Sequence, residues 1–178
     1  MIKDKTGIKD HIKFKLFDED GNLKQKEKSN ITGHIRLRLF GEDGSLKQEH
    51  EHQNTITTTM DLLVADTMSD GGEPEIGWMA VGTTSGGKTT ASTALEAIIA
   101  GSNNALDSTT QGTTTDDNDV IYVCSWAAGD GTGTIIEAGL FNIAACTSGM
   151  CAYDESMNIV KGAADTLEIT WTVTFGAS

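Results

Sequence analysis

Gly82-Thr-Thr-Ser-Gly-Gly87-Lys88-Thr89 has the spacing of a phosphate-cradling loop, with glycine, four residues, glycine, lysine and threonine, and it follows an apolar run. Such a loop works only if a helix opens at the lysine, so that its N-terminal amides face the phosphates. It also needs a parallel sheet and a second, acidic strand for magnesium. Here Thr89-Thr-Ala-Ser-Thr93 follows, a poor helix start, and the flanking strand-like runs point to an antiparallel sheet. In a chain this rich in Gly, Ser and Thr the segment reads as a turn-rich loop, and nucleotide binding is the disfavoured alternative.

Other reactive residue types are sparse. His50-Glu51-His52 could set two imidazoles on one face of a strand, but no third ligand stands near them, and a solvated strand end is the preferred reading. Asp116-Asp117-Asn118-Asp119 offers oxygen ligands without the glycine and distal glutamate of a calcium loop, so it reads as a polar turn. Cys124, Cys146 and Cys151 are an odd set that fits free thiols. Cys146 and Cys151 flank the turn Thr147–Met150 and could form a disulfide across a hairpin. With no Ser/His/Asp order and no paired carboxylates, the chain is expected not to be an enzyme and to need no cofactor or metal.

Charge is unevenly placed. The net charge is −13, yet 11 of the 13 basic residues lie in residues 1–50. Residues 1–54 carry 10 acidic groups and sit near +1, while the rest holds 16 acids against Lys88 and Lys161. A body near −14 repels nucleic acid and anionic lipid, so neither is an expected partner. No apolar run approaches the length of a membrane span, and no secretory leader is recognisable.

The elements that would carry these residues are strands. His11-Ile-Lys-Phe-Lys-Leu-Phe-Asp-Glu-Asp-Gly-Asn-Leu-Lys-Gln25 recurs as His34-Ile-Arg-Leu-Arg-Leu-Phe-Gly-Glu-Asp-Gly-Ser-Leu-Lys-Gln48, identical at ten of fifteen positions. In each copy a period-two strand runs into a Glu-Asp-Gly turn and a polar return strand, a β-hairpin. Lys13, Lys15, Arg36 and Arg38, with Phe17 and Phe40, are the expected assembly interface of this duplicated arm. A hairpin is marginal alone, so the two must pair with each other, complete the main sheet or dock on a partner.

Thr58–Met68 is the one convincing helix, stopped by Ser69-Asp-Gly-Gly72. Ile76–Val81 and Val120–Trp126 read as buried strands, with Thr83–Asn118 between them as a long surface excursion or loosely patterned strands. At the end, Leu167, Ile169, Trp171, Val173 and Phe175 alternate with Glu168, Thr170, Thr172 and Thr174, one apolar face against one polar face. Trp78, Trp126, Phe141, Trp171 and Phe175 are the expected core anchors.

Gly131-Thr-Gly-Thr-Ile-Ile-Glu-Ala-Gly-Leu-Phe141, the turn at Gly149-Met150, and Lys161-Gly-Ala-Ala-Asp-Thr-Leu-Glu-Ile-Thr-Trp-Thr-Val-Thr-Phe175 resemble a C-terminal module of virion structural proteins of tailed bacteriophages. Trp78-Met-Ala-Val-Gly-Thr83 and Thr93-Ala-Leu-Glu96 look like its front, so the likeness spans roughly residues 74–175. The duplicated basic hairpin and the Cys146, Cys151 pair depart from that pattern. A glycine inside Glu-Ala-Gly-Leu-Phe suits a strand closely crossed by another backbone.

The resemblance implies a non-enzymatic virion component, a capsid decoration or head-fibre protein, with a tail, collar or baseplate component as the alternative. It would be a homo-oligomer and contact the major capsid protein or other virion proteins. The expected fold is all-β and mainly antiparallel. A β-sandwich body (55–178) would carry an N-terminal tandem β-hairpin arm (1–54) and at most one short helix. A carbohydrate-binding adhesin is a weaker third option, since its tryptophans would more often sit in loops.

Overall fold

The computed structural model describes residues 30–113 and 118–176. The first repeat copy, with Lys13, Lys15 and Phe17, lies outside the described residues, as do Asp116 and Asp117.

Hydrophobic alternation builds the sheet around two long neighbours. Strand β1 (Asn30–Phe40) and the C-terminal strand β11 (Thr166–Gly176) pair antiparallel along their whole length, with Ile35 opposite Trp171, Leu37 opposite Ile169 and Leu39 opposite Leu167. All six of these side chains are buried. β2 (Leu46–Ile56) returns beside β1 through a turn at Gly44, whose positive φ of 77° suits glycine. β6 (Asp119–Trp126) flanks β11, and β5 (Ser108–Gln111) flanks β6.

The second wing is made of β3 (Trp78–Gly82), β4 (Asn104–Ala105), β8 (Glu137–Phe141) and β9 (Met150–Asp154). Among the described residues the sheet has nine strands in the order β4-β3-β8-β9-β2-β1-β11-β6-β5, and β2 joins the wings by bonding β9 at Thr55 and Ile56. A separate ribbon pairs β7 (Gly133–Ile135) with β10 (Ile159–Lys161). The sheet curls until the wings face each other, and Leu37, Trp171 and Trp126 share one core with Met79, Leu140 and Ala152. This is the expected all-β antiparallel sandwich.

The one helix among the described residues, α1 (Thr58–Ser69), ends at Asp70 in the left-handed conformation. Met60 and Leu63 face the core, while Leu62 and Met68 are 70% and 85% exposed.

Three expectations change. The second repeat copy is not an appended arm: β1 lies between β2 and β11 inside the sheet, and a boundary at residue 54 would cut through β2. Of the anchors, Trp126, Phe141 and Trp171 are fully buried, but Trp78 and Phe175 are only half-buried at the margins of their clusters. Gly139 makes room for side chains, not for a crossing backbone, since a Cβ there would sit 2.7 Å from the Phe141 ring and 3.1 Å from Leu95.

Phe141 and Leu95 belong to a second cluster with Ala80, Cys146, Met150 and Tyr153, on the outer face of the β3-β8-β9 wing. Residues from the 83–103 excursion cover that face, with Thr83 and Ile99 bonded to Ala97 and Val81 through the main chain. The cover explains why all five residues of β8 and of β9 are buried.

Cys146 lies in this outer cluster while Cys151 belongs to the inner core, so the two thiols face opposite sides of the wing and all three cysteines are free. The disulfide that the spacing allowed across the hairpin would have to join thiols on opposite faces of the wing. Burial pushes Cys124 and Cys151 up to about 12 and Cys146 up to about 11, so thiolate is scarce at neutral pH. Ellman's reagent should therefore react slowly with the native chain and count three thiols after unfolding. A rapid native reaction would contradict this placement.

Candidate functional sites

The phosphate-loop look-alike is a structural clasp. No helix follows Lys88. Lys88 Nζ instead passes under the excursion and forms an ion pair with Glu137 Oε2 on β8, with side-chain exposures of 4% and 0%. The ammonium has no further acceptor among the described residues. Glu137 also accepts the Glu96 and Ala97 backbone N–H groups at 3.1 and 2.9 Å. Gly82 is needed at its own position, because a Cβ would lie 2.4 Å from Glu137 Oε1 and 2.6 Å from the Ala97 carbonyl. The lysine's charge is thus paired with a carboxylate of the neighbouring strand.

The histidine pair gains a neighbour that local spacing did not offer. His50 Nε2 and His52 Nδ1 lie 3.4 and 3.7 Å from Asp154 Oδ2, on a strand a hundred residues away in sequence. Asp154 Oδ1 accepts from the Ser156 N–H and hydroxyl at 2.8 and 2.6 Å. The rings stack with centroids 6.0 Å apart. Among the described residues no group of three His, Cys, Asp or Glu is placed to hold a metal ion. Asn118 uses its side-chain amide to donate to the Phe175 carbonyl.

The expected interface residues of the second copy are engaged within the sheet. Arg36 bonds Glu49 and Glu51, which hold its guanidinium even more firmly protonated through the Glu49 hydrogen bond. Arg38 pairs with Glu168 and stacks 5.7 Å over the Phe40 ring. Lys47 bonds both carboxylate oxygens of Asp165 at 2.9 Å, and this bond is the main reason Asp165 is held below the usual carboxylate range. Lys161 is buried and donates to the Ala127 and Asp165 carbonyls at 3.0 and 2.7 Å. Burial lowers its pKa, partly countered by Asp130 and Asp165.

With Lys88, these are all five cations of residues 30–178, and each has a partner inside the fold. Twenty acidic groups share that same stretch. The eight remaining lysines precede residue 30.

An apolar cleft of about 310 Å³ opens between α1 and the sheet, lined by Met60, Leu63, Val64, Met68, Tyr122 and Phe175. Burial pushes the Tyr122 hydroxyl up to about 12. No described helix is long and apolar enough to cross a membrane. No family model matches the chain, and no curated protein or solved structure matches it.

Proposed function

We propose that this chain is a non-enzymatic structural protein of a tailed-phage virion, a capsid decoration or head-fibre component that docks through residues preceding β1. The phage assignment is supported by the resemblance carried by Glu137–Phe141 and Asp165–Phe175, which are the buried strand β8 and the strand β11 with the turn before it. The docking mode rests on one observation: four of the five cations of residues 30–178 pair with carboxylates and Lys161 is buried on main-chain carbonyls, so the surplus charge of that stretch is acidic and the other eight lysines lie in residues 1–29. Basic segments steer toward acidic surfaces, here the capsid shell or other virion proteins.

The test is the copy number per purified particle, by quantitative mass spectrometry against the major coat protein. Hundreds of copies, following the shell's symmetry, are expected. About three to twelve copies would overturn the head placement in favour of tail, collar or baseplate. Absence from particles would overturn the virion reading altogether.

A further inference from the structure

Among the described residues, strand β2 leaves one backbone edge open. β1 pairs with it along residues 46–54, but on the other side β9 bonds only Thr55 and Ile56. Among the described residues no other main chain bonds that edge. Gln48 reaches the Asn158 carbonyl, and His50 and His52 reach Asp154, through side chains alone. Lys47, Gln48, Glu49, Glu51, His52 and Gln53 are exposed. An open edge of this length is a template for an added strand.

The strand that fits it is written in the sequence. β1 already shows what pairs with β2: Arg36 stands opposite Glu51 and Arg38 opposite Glu49. His11-Ile-Lys-Phe-Lys-Leu-Phe17 repeats His34-Ile-Arg-Leu-Arg-Leu-Phe40 with the same alternation and with lysines at both cationic positions. The segment that follows it lacks those two acids. At the offset that relates the copies, Glu49 and Glu51 become Lys26 and Lys28. Carried over, the hairpin register would set Lys13 against Lys28 and Lys15 against Lys26, and like charges directly opposed are destabilising. An acidic strand on the free side of residues 11–17 relieves that repulsion.

Chain length decides whose β2 it is. If the first copy keeps its hairpin, docking on its own β2 would put Lys28 three strand spacings from β1, roughly 14 Å. Only Ser29 separates Lys28 from Asn30 at the start of β1, and two residue steps span at most about 7 Å. A neighbouring molecule imposes no such limit.

We infer that residues 11–17 of one copy add as a strand to the open β2 edge of a second copy, with Lys13 and Lys15 beside Glu51 and Glu49. The contact involves copies of this chain alone, so it stands or falls independently of the virion reading. Sedimentation of the purified full chain across a concentration series should show self-association that weakens with salt. The K13E/K15E variant should associate roughly tenfold more weakly, and K13R/K15R should match the parent.

Amide hydrogen exchange over residues 47–53 should be slow in the associated parent and fast in K13E/K15E. A parent that is monomeric at every concentration overturns the inference, even with a protected β2. So does an oligomer indifferent to K13E/K15E, or one whose β2 amides exchange freely.

Discussion

A chain lacking residues 1–54 should fail to fold, whereas one lacking only residues 1–29 should unfold cooperatively with nearly the parent stability. The shorter deletion leaves every described strand in place. The longer one removes β1 and all but the last two residues of β2. Ile35, Leu37 and Leu39, at 0%, 0% and 2% exposure, go with it.

Each buried aliphatic lost from a core costs about 2–5 kcal/mol. Three together rival the 5–15 kcal/mol that holds a typical domain. The deletion also strips β11 of its partner over eleven residues and removes most of the strand that joins the two wings. Near-UV circular dichroism and urea unfolding of both truncations check this. A cooperative transition in the 55–178 fragment would mean that β1 is dispensable and that the hairpin is an arm after all.

That outcome bears on what the sequence can tell. Leu167–Phe175 was legible because period-two alternation with β-branched residues outward has one good solution, a half-buried strand. Thr58–Ser69 was legible for its stop signal and its length. The role of β1 was not, because Ile35, Leu37 and Leu39 opposite Arg36 and Arg38 is the same pattern whether the strand sits at an edge or in the interior. What distinguishes them is β11, whose pairing residues lie some 130 positions away, as in the Arg38 and Glu168 pair.

The candidate sites follow the same division. His50 and His52 could be placed on one strand face from their spacing, but Asp154 reaches them only through the curl of the sheet. Cys146 and Cys151 looked bridgeable across a short turn. The layer each faces depends on the cover formed by residues 83–103, which has little periodicity of its own.

Lys88→Met should destabilise the native state by about 3–5 kcal/mol while leaving any response to ATP unchanged. Breaking one side of a buried ion pair strands the other charge in a low-dielectric interior, and that penalty exceeds what the intact pair contributes. Here the stranded group would be Glu137, fully buried and also holding the Glu96 and Ala97 amides. Drawing its carboxylate toward water would weaken those two bonds and loosen the cover over Leu95 and Phe141.

Glu137→Gln should cost a comparable amount, since Lys88 would then be buried without a counter-charge. The double variant K88M/E137Q should lose less than the sum of the two single losses, with a coupling of about 1–3 kcal/mol. Urea midpoints supply the cycle and ATP titration the control. A nucleotide loop predicts the reverse, an unchanged midpoint in Lys88→Met together with loss of ATP binding. Because Gly82 and Lys88 both pack against Glu137, the phosphate-loop spacing here is a consequence of fastening a loop to a strand.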